Sequence, residues 1–244
     1  MGRNLLIWGP AHNLIRANYA TSLMKKLLIG LVILFILVIA GLSYLGLMPF
    51  LSGFIAKQVD LGIKADPAFV TAFESKYGVS NGTGKVSLDV NLSSAEVTSI
   101  FAVWEERDKY FPLHNVQIRF NPDGTGEASG FLRVSTAISL AKNLGYSDSD
   151  IETGKKYVQY VAGDLPFYVK GTGGMTSNVL SINPSTFQIG RVTVPESITN
   201  PVAVAVGDMI ERRLSQIGGA NIQEANFKSG SFSFVGSVPE TIKY

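Results

Sequence analysis

Hydrophobic and polar positions divide the chain into two regimes. From Leu27 to Ala56 no residue is charged, and the run opens with LLIGLVILFILVIAGLSYLGLMPF. About 20 apolar residues suffice for a helix to cross a bilayer, so 27–48 is expected to span one. Gly30, Gly41 and Gly46 are tolerable there, because a helix in lipid keeps its backbone bonds within itself. Pro49 marks the exit.

Beyond this run the apolar positions become periodic. At 85–92 Val86, Leu88, Val90 and Leu92 alternate with polar residues, which predicts a half-buried strand. Ser93 and Glu96 then have capping-box spacing, and Val97, Ile100, Phe101 and Trp104 follow at helical intervals, so a helix should begin at Ser94. The charges Glu105 to Lys109 read as its solvated end. Val116, Ile118 and Phe120, the turn Asn121-Pro122-Asp123-Gly124, and Ala128, Gly130, Leu132 and Val134 read as a hairpin.

Helical signals recur at 137–144, closed by Gly145, and at 150–161, opened by a second candidate capping box from Ser149 to Glu152. Strands are expected at 167–170, 178–182 and 187–194. Asn200-Pro201 offers an N-cap followed by an N1 proline, and Val202, Val206, Met209, Ile210 and Ile217 give one apolar stripe over a long helix. Two strands close the pattern, at 220–227 and 231–238. Ahead of all this, Asp66-Pro67 and the spacing of Phe69, Ala72 and Phe73 predict a short helix. Hairpin-joined strands with helices in groups argue for an α+β domain with a mainly antiparallel sheet.

Charge assigns a direction to the first regime. Arg3, Arg16, Lys25 and Lys26 precede the apolar run with no acid among them, whereas the rest of the chain holds 17 bases and 19 acids. Basic residues stay on the cytoplasmic side. The expected organisation is a cytoplasmic N-terminus at 1–26, a transmembrane helix at 27–48, a connecting segment at 49–84 and an extracytoplasmic α+β domain at 85–244. Met24-Lys25-Lys26 also looks like a start, which makes 1–23 an upstream extension. A cleaved signal peptide ending near Val38-Ile39-Ala40 is the alternative, but the apolar run continues well past that point.

Composition removes several chemistries. With no Cys, disulfides, thiolate metal sites and thiol nucleophiles are excluded. A formal net charge of +2 gives no basic field for a phosphate backbone, so no nucleic acid partner is expected. His114 is the single histidine after residue 12, which leaves no histidine metal cluster or Ser-His-Asp triad to assemble, and it reads as a surface or interface residue. Asp148, Asp150 and Glu152 alternate as in a calcium loop, but Thr153 stands where such a loop needs Gly, so helix capping explains them better. Gly171-Thr172-Gly173-Gly174 lacks the Lys and helix of a phosphate loop and reads as a loose strand pair or bulge. No cofactor, metal or catalytic residue is expected.

The run from Val86 to Ile100, the hairpin from Val116 to Val134, Ile189-Gly-Arg-Val-Thr-Val-Pro195 before a long helix, and the closing Gly230-Ser-Phe-Ser-Phe-Val-Gly-Ser-Val-Pro239 resemble the YpmS-like single-pass envelope proteins of Gram-positive bacteria. More distantly they resemble tubular lipid-binding (TULIP-like) domains. The resemblance implies a curved sheet wrapped around a long helix, with an apolar groove for a lipid or acyl chain. It carries over no catalytic residue. The helical stripes supply the groove's expected lining: Val97, Ile100, Phe101, Trp104, Val206, Met209 and Ile210. Periodicity does not separate a side chain lining a groove from one packed in a core. Two functions without chemistry therefore stand: a membrane-anchored domain that binds or shields a lipid-like ligand without catalysis, or a structural or interaction protein of the envelope, with a solid core and a protein partner. A third, an envelope hydrolase, would need an acid pair that nothing in the sequence singles out.

Overall fold

The computed structural model describes residues 57–77, 84–152 and 164–240. The expected span at 27–48 and most of the helix expected at 150–161 lie outside them. None of the described helices is long and apolar enough to cross a membrane.

The domain is α+β, with one mainly antiparallel, curved sheet. Its elements are α1 (Pro67–Tyr77), β1 (Lys85–Leu92), α2 (Ser94–Arg107), β2 (Leu113–Phe120), β3 (Gly126–Arg133), α3 (Val134–Asn143), β4 (Asp164–Thr176), β5 (Val179–Ile189), β6 (Val192–Thr193), α4 (Glu196–Gln216), β7 (Asn221–Lys228) and β8 (Ser231–Pro239). The main path of strands runs β1-β8-β7-β4-β3-β2, with β5 paired to β4 and β6 to β5.

The long strand β4 organises the sheet. One edge pairs with β5 from Phe167 to Thr176. The other edge is shared: β3 takes residues 164–171 and the middle of β7 takes 174–176. The β2-β3 hairpin and the β7-β8-β1 meander thus meet end to end along β4. Where they meet, a Cβ on Gly126 would come within 2.8 Å of the Phe227 ring, so a larger residue there would have to displace that ring.

The core lies on the inner side of this junction. Val90 and Leu92 of β1, Val97 of α2 and Phe120 of β2 are its buried centre, with Phe227, Phe232 and Phe234 packed around them. Phe120 stacks on Phe232 at 5.8 Å and meets Phe227 at 5.3 Å between ring centroids. Phe69, Phe73 and Tyr77 of α1 add a further aromatic layer. Rings at these separations contribute about 0.5–1.5 kcal/mol per pair beyond area burial.

Several boundaries differ from the sequence reading for local reasons. The strands expected at 178–182 and 187–194 are largely one strand, β5, running through Pro184, with β6 set apart after Gly190. Pro184 is accommodated because the β4-β5 register slips between Lys170 and Gly171, opposite it. A proline without an N–H fits at such a bulge and on an outer strand. That slip is the bulge expected in the Gly171–Gly174 stretch. The long helix starts four residues before the expected Asn200 cap, at Glu196, with Pro195 extended at φ −61°, ψ 150° as its N-cap. Ile198 and Thr199 both donate to the Pro195 carbonyl, and the Thr199 hydroxyl turns back to Val194. Pro201 therefore sits inside the helix. The second capping box also falls earlier: Ser147 and Asp150 bond reciprocally, each backbone N–H to the other's side chain, both at 3.2 Å, and helical residues begin at 148.

The described part of the connecting segment is packed into the domain. Leu61 is only 3% exposed. Residues 58–61 form a strap across the β2-β3 hairpin: Gln58 donates to the Asn115 carbonyl at 2.7 Å, and the Ser129 hydroxyl donates to Val59 O at 2.6 Å. Leu61 N–H donates to the Gln117 side chain at 2.7 Å, and Arg119 donates to Leu61 O. The short helix expected behind Asp66-Pro67 is α1, its start held by Asp66 Oδ1, which accepts from Ala68 N–H.

Candidate functional site

α2 is placed by its ends and its polar face. Ser93 Oγ accepts from Glu96 N–H at 3.3 Å and Glu96 Oε2 accepts from Ser93 N–H at 2.7 Å, the reciprocal capping box expected from the sequence. One side of the helix then lies against the free edge of β2. Ser94 Oγ accepts from Phe120 N–H, Thr98 Oγ1 from Ile118 N–H and Glu105 Oε2 from Asn115 N–H, at 2.8–2.9 Å. Side chains here take the place of the neighbouring strand that β2 lacks, so its amides are not left unpaired. The pattern was visible as Ser94 and Thr98 one turn apart with Glu105 two turns on, but a solvated face has the same spacing.

The apolar side of α2 faces inward. Val97 is buried in the core, with Ile100 and Phe101 packed against it. Trp104 is half-buried in a cluster with Phe101 and Phe111, at 5.5 Å and 6.1 Å.

The remaining three expected lining residues lie elsewhere. α4 runs along β5, tied to it by Leu180 N–H donating to Glu211 Oε1 at 2.7 Å. Its buried residues are Thr199 and Gly207. At 100° per residue, Thr199, Gly207, Glu211 and Leu214 share one side, and the stripe of Val202, Val206 and Met209 is turned roughly a third of a turn from it. Val206 on that stripe is 41% exposed and Ile210, at the border between the stripe and the packed side, is 40% exposed; Val204 on the opposite flank is 73% exposed, and Met209 is half-buried. α2 packs on β2, α1 and β8, whereas α4 packs on β5. The seven residues thus form two separate groups: one filling a core, the other an open helix flank.

Two clefts accompany this arrangement. One, of about 360 Å³, lies on the outer face of β1, β8 and β7 and is lined by Lys85, Ser87, Asp89, Asn221, Gln223 and Ser237 among others. The second, of about 320 Å³, lies at the end of α4 beside Glu211, Leu214 and Ile217. Neither joins the stripe of α2 to that of α4.

Several ionisable groups are engaged in structural pairs. The Tyr146 hydroxyl donates to Asp208, which also accepts from Arg212 Nε at 2.9 Å, and the Arg212 guanidinium lies over the Tyr146 ring at 4.6 Å. Burial, reinforced by the Asp208 carboxylate, pushes the Tyr146 hydroxyl up to about 12, while the hydrogen bond from Tyr146 lowers Asp208. Across β3 and β4, Tyr168 donates to Glu127 Oε2 at 2.9 Å and Asn121 donates to Oε1 at 2.9 Å. Burial raises the Glu127 carboxyl, but these two hydrogen bonds, with Arg119 and Lys170 nearby, bring it below its ordinary value. Burial first, then Glu127, lifts Tyr168 to about 12. His114 sits 2.8 Å from Asp164 and stacks on Phe131 at 4.9 Å, so it links β2 to the start of β4. The described residues contain no group of three or more acids and histidines able to hold a metal ion. Asp150 of the expected cap-or-calcium cluster caps its helix at Ser147.

Comparison of the chain with protein-family models, with curated proteins and with solved structures finds no match.

Proposed function

We propose that the protein is a membrane-anchored, single-pass domain on the outer side of the membrane, which binds or shields a lipid-like apolar partner by contact and performs no chemical step. The observation that carries this reading is the open flank of α4, where Val206 and Ile210, one turn apart, stand 41% and 40% exposed. Monomeric proteins scatter single apolar residues over their surfaces, but a contiguous apolar stretch on one element marks an interaction surface. The uncharged run before residue 57 supports a bilayer close to the domain. The ligand surface in this reading is the flank of α4, not a groove shared with α2, whose stripe is used in packing.

The test compares the full-length chain with a Val206→Glu, Ile210→Glu double variant. Lipid extraction and mass spectrometry should recover bound lipid from the first and clearly less from the second, at an unchanged melting temperature. Equal lipid content in both would defeat the reading. Protease added outside intact cells should digest residues beyond 57; protection of that region would reverse the proposed topology.

A second reading is favoured by the solid phenylalanine cluster around Phe120. In it, the domain is a structural or interaction protein of the cell envelope, and the α4 flank receives a protein. Loss of a co-purifying protein, instead of lipid, in the double variant would select it.

A further inference from the structure

The sheet ends in three outer strands, and they are treated differently. β2 is covered by α2, whose Ser94, Thr98 and Glu105 accept from its backbone. β5 is flanked by α4, with Glu211 accepting from Leu180, and by β6 at its end. β1 pairs with β8 on one side, and among the described residues nothing covers the other.

The direction of the β1 amides follows from its partner. Glu240 N–H donates to Gly84 O at 3.0 Å, so Gly84 and every second residue after it turn their peptide groups toward β8. Lys85 lies opposite Pro239, which has no N–H to give. Lys85, Ser87, Asp89 and Asn91 therefore point their N–H and C=O groups outward, where no described residue meets them. Their side chains are exposed, and those of Val86, Leu88, Val90 and Leu92 are turned inward.

The side chains along this edge are self-complementary. An antiparallel copy of β1, related by a two-fold axis through Ser87, sets Ser87 opposite Ser87, Lys85 opposite Asp89 of the second copy, and Asp89 opposite its Lys85. Val86 then faces Leu88 of the second copy on the inner side. All outward N–H and C=O groups of Lys85, Ser87 and Asp89 find partners, and both charge pairs have opposite sign. Cross-strand pairs of opposite charge are favourable and like pairs are not. A shift of one residue would place inward-directed peptide groups opposite outward ones, and a shift of the axis by one residue pair breaks the charge match.

We infer that the bare edge of β1 is a self-association site, at which two copies of this chain pair antiparallel about Ser87 and extend the β7-β8-β1 sheet across a two-fold axis. The interface is isologous, as closed dimers require. It does not depend on the lipid reading or on the α4 flank.

Because the chain has no Cys, a single introduced thiol reports on this register. In a hydrogen-bonded antiparallel pair the two Cα atoms are about 5.5 Å apart, within the range a disulfide bridges. Ser87→Cys in the purified full-length chain should therefore yield a covalent dimer under mild oxidation. Asn91→Cys, whose two copies stand roughly 27 Å apart in this register, should yield at least about tenfold less. Added to Ser87→Cys, Lys85→Glu or Asp89→Lys alone should lower the dimer yield by about tenfold, since two attractive pairs become repulsive. The two substitutions together should restore it. Melting temperatures of the variants, measured alongside, verify that each folds. Equal cross-linking at 87 and 91, or charge reversals without effect in folded variants, would overturn the inference. So would a double reversal that fails to rescue, or Ser87→Cys capturing a different protein in place of its own copy.

Discussion

Three of the most enclosed side chains in the domain are hydroxyls: Thr98, Ser99 and Ser129. Each joins two pieces of chain distant in sequence. Thr98 holds α2 to β2 through Ile118, Ser99 accepts from Asp66 N–H at 2.8 Å ahead of α1, and Ser129 holds the strap at Val59. An unpaired buried amide costs more than the net value of the bond it lost. Thr98→Val keeps the volume and removes the acceptor, so it should cost about 1–3 kcal/mol in a denaturant melt. Hydrogen exchange at the Ile118 amide should accelerate more than at its neighbours, and an unchanged midpoint would show that the edge is held by packing alone. The Tyr168-Glu127 pair makes a prediction about pH. A tyrosine raised from 10.0 to about 12 on folding favours the folded state below the lower value, and that advantage is lost as the pH climbs through the higher. The protein should lose stability between pH 10 and about 12. Tyr168→Phe should flatten that decline, leaving the part due to Tyr146; an identical alkaline profile would refute the assignment.

At the scale of elements, α2 shows what pattern can and cannot reveal. Its start was legible because a capping box is local: Ser93 and Glu96 satisfy each other's amides whatever surrounds them. Ser93→Ala should accordingly cost about 0.5–2 kcal/mol, read as a shift in the urea midpoint. β1 and the β2-β3 hairpin were equally legible, because alternation and a Pro-Asp-Gly turn fix them within a few residues. α4 was not. Its apolar stripe is present in the sequence, but the side that meets β5 carries the buried Thr199 and Gly207 and the Glu211 carboxylate that accepts from Leu180. Periodicity weighs hydrophobicity, and it gives no weight to a side that meets its strand through a hydrogen bond. Asn200-Pro201 misplaced the helix start for a related reason: Pro195 sets the extended N-cap geometry five residues before Asn200, and the bonds that mark it, from Ile198 and Thr199 to Pro195 and from the Thr199 hydroxyl to Val194, leave no periodic trace. The candidate site divided along this line, with the α2 half readable as inward-facing and the α4 half rotated out of view.

At the scale of the molecule, the division into a filled core and an open flank can be measured. Phe120 lies between Phe227 and Phe232 at the meeting of hairpin and meander, so Phe120→Ala should cost about 3–5 kcal/mol. Met209→Ala, on a half-buried position of α4, should cost clearly less than the roughly 2 kcal/mol at the lower end for a core methionine. Comparable losses in thermal melts of the two variants would mean that α4 belongs to the main core after all. The strap at 58–61 has a mechanical consequence. Its contacts advance along β2 in step with the chain, residue 58 with Asn115 and residue 61 with Gln117 and Arg119, while Val59 is held by β3. A pull arriving from the N-terminal side therefore loads these bonds together in shear, instead of peeling them one by one. The domain is gripped at the β2 end of its sheet, at the far end of the strand order from the bare edge of β1, so tension on the leading segment spares the strand most easily unzipped.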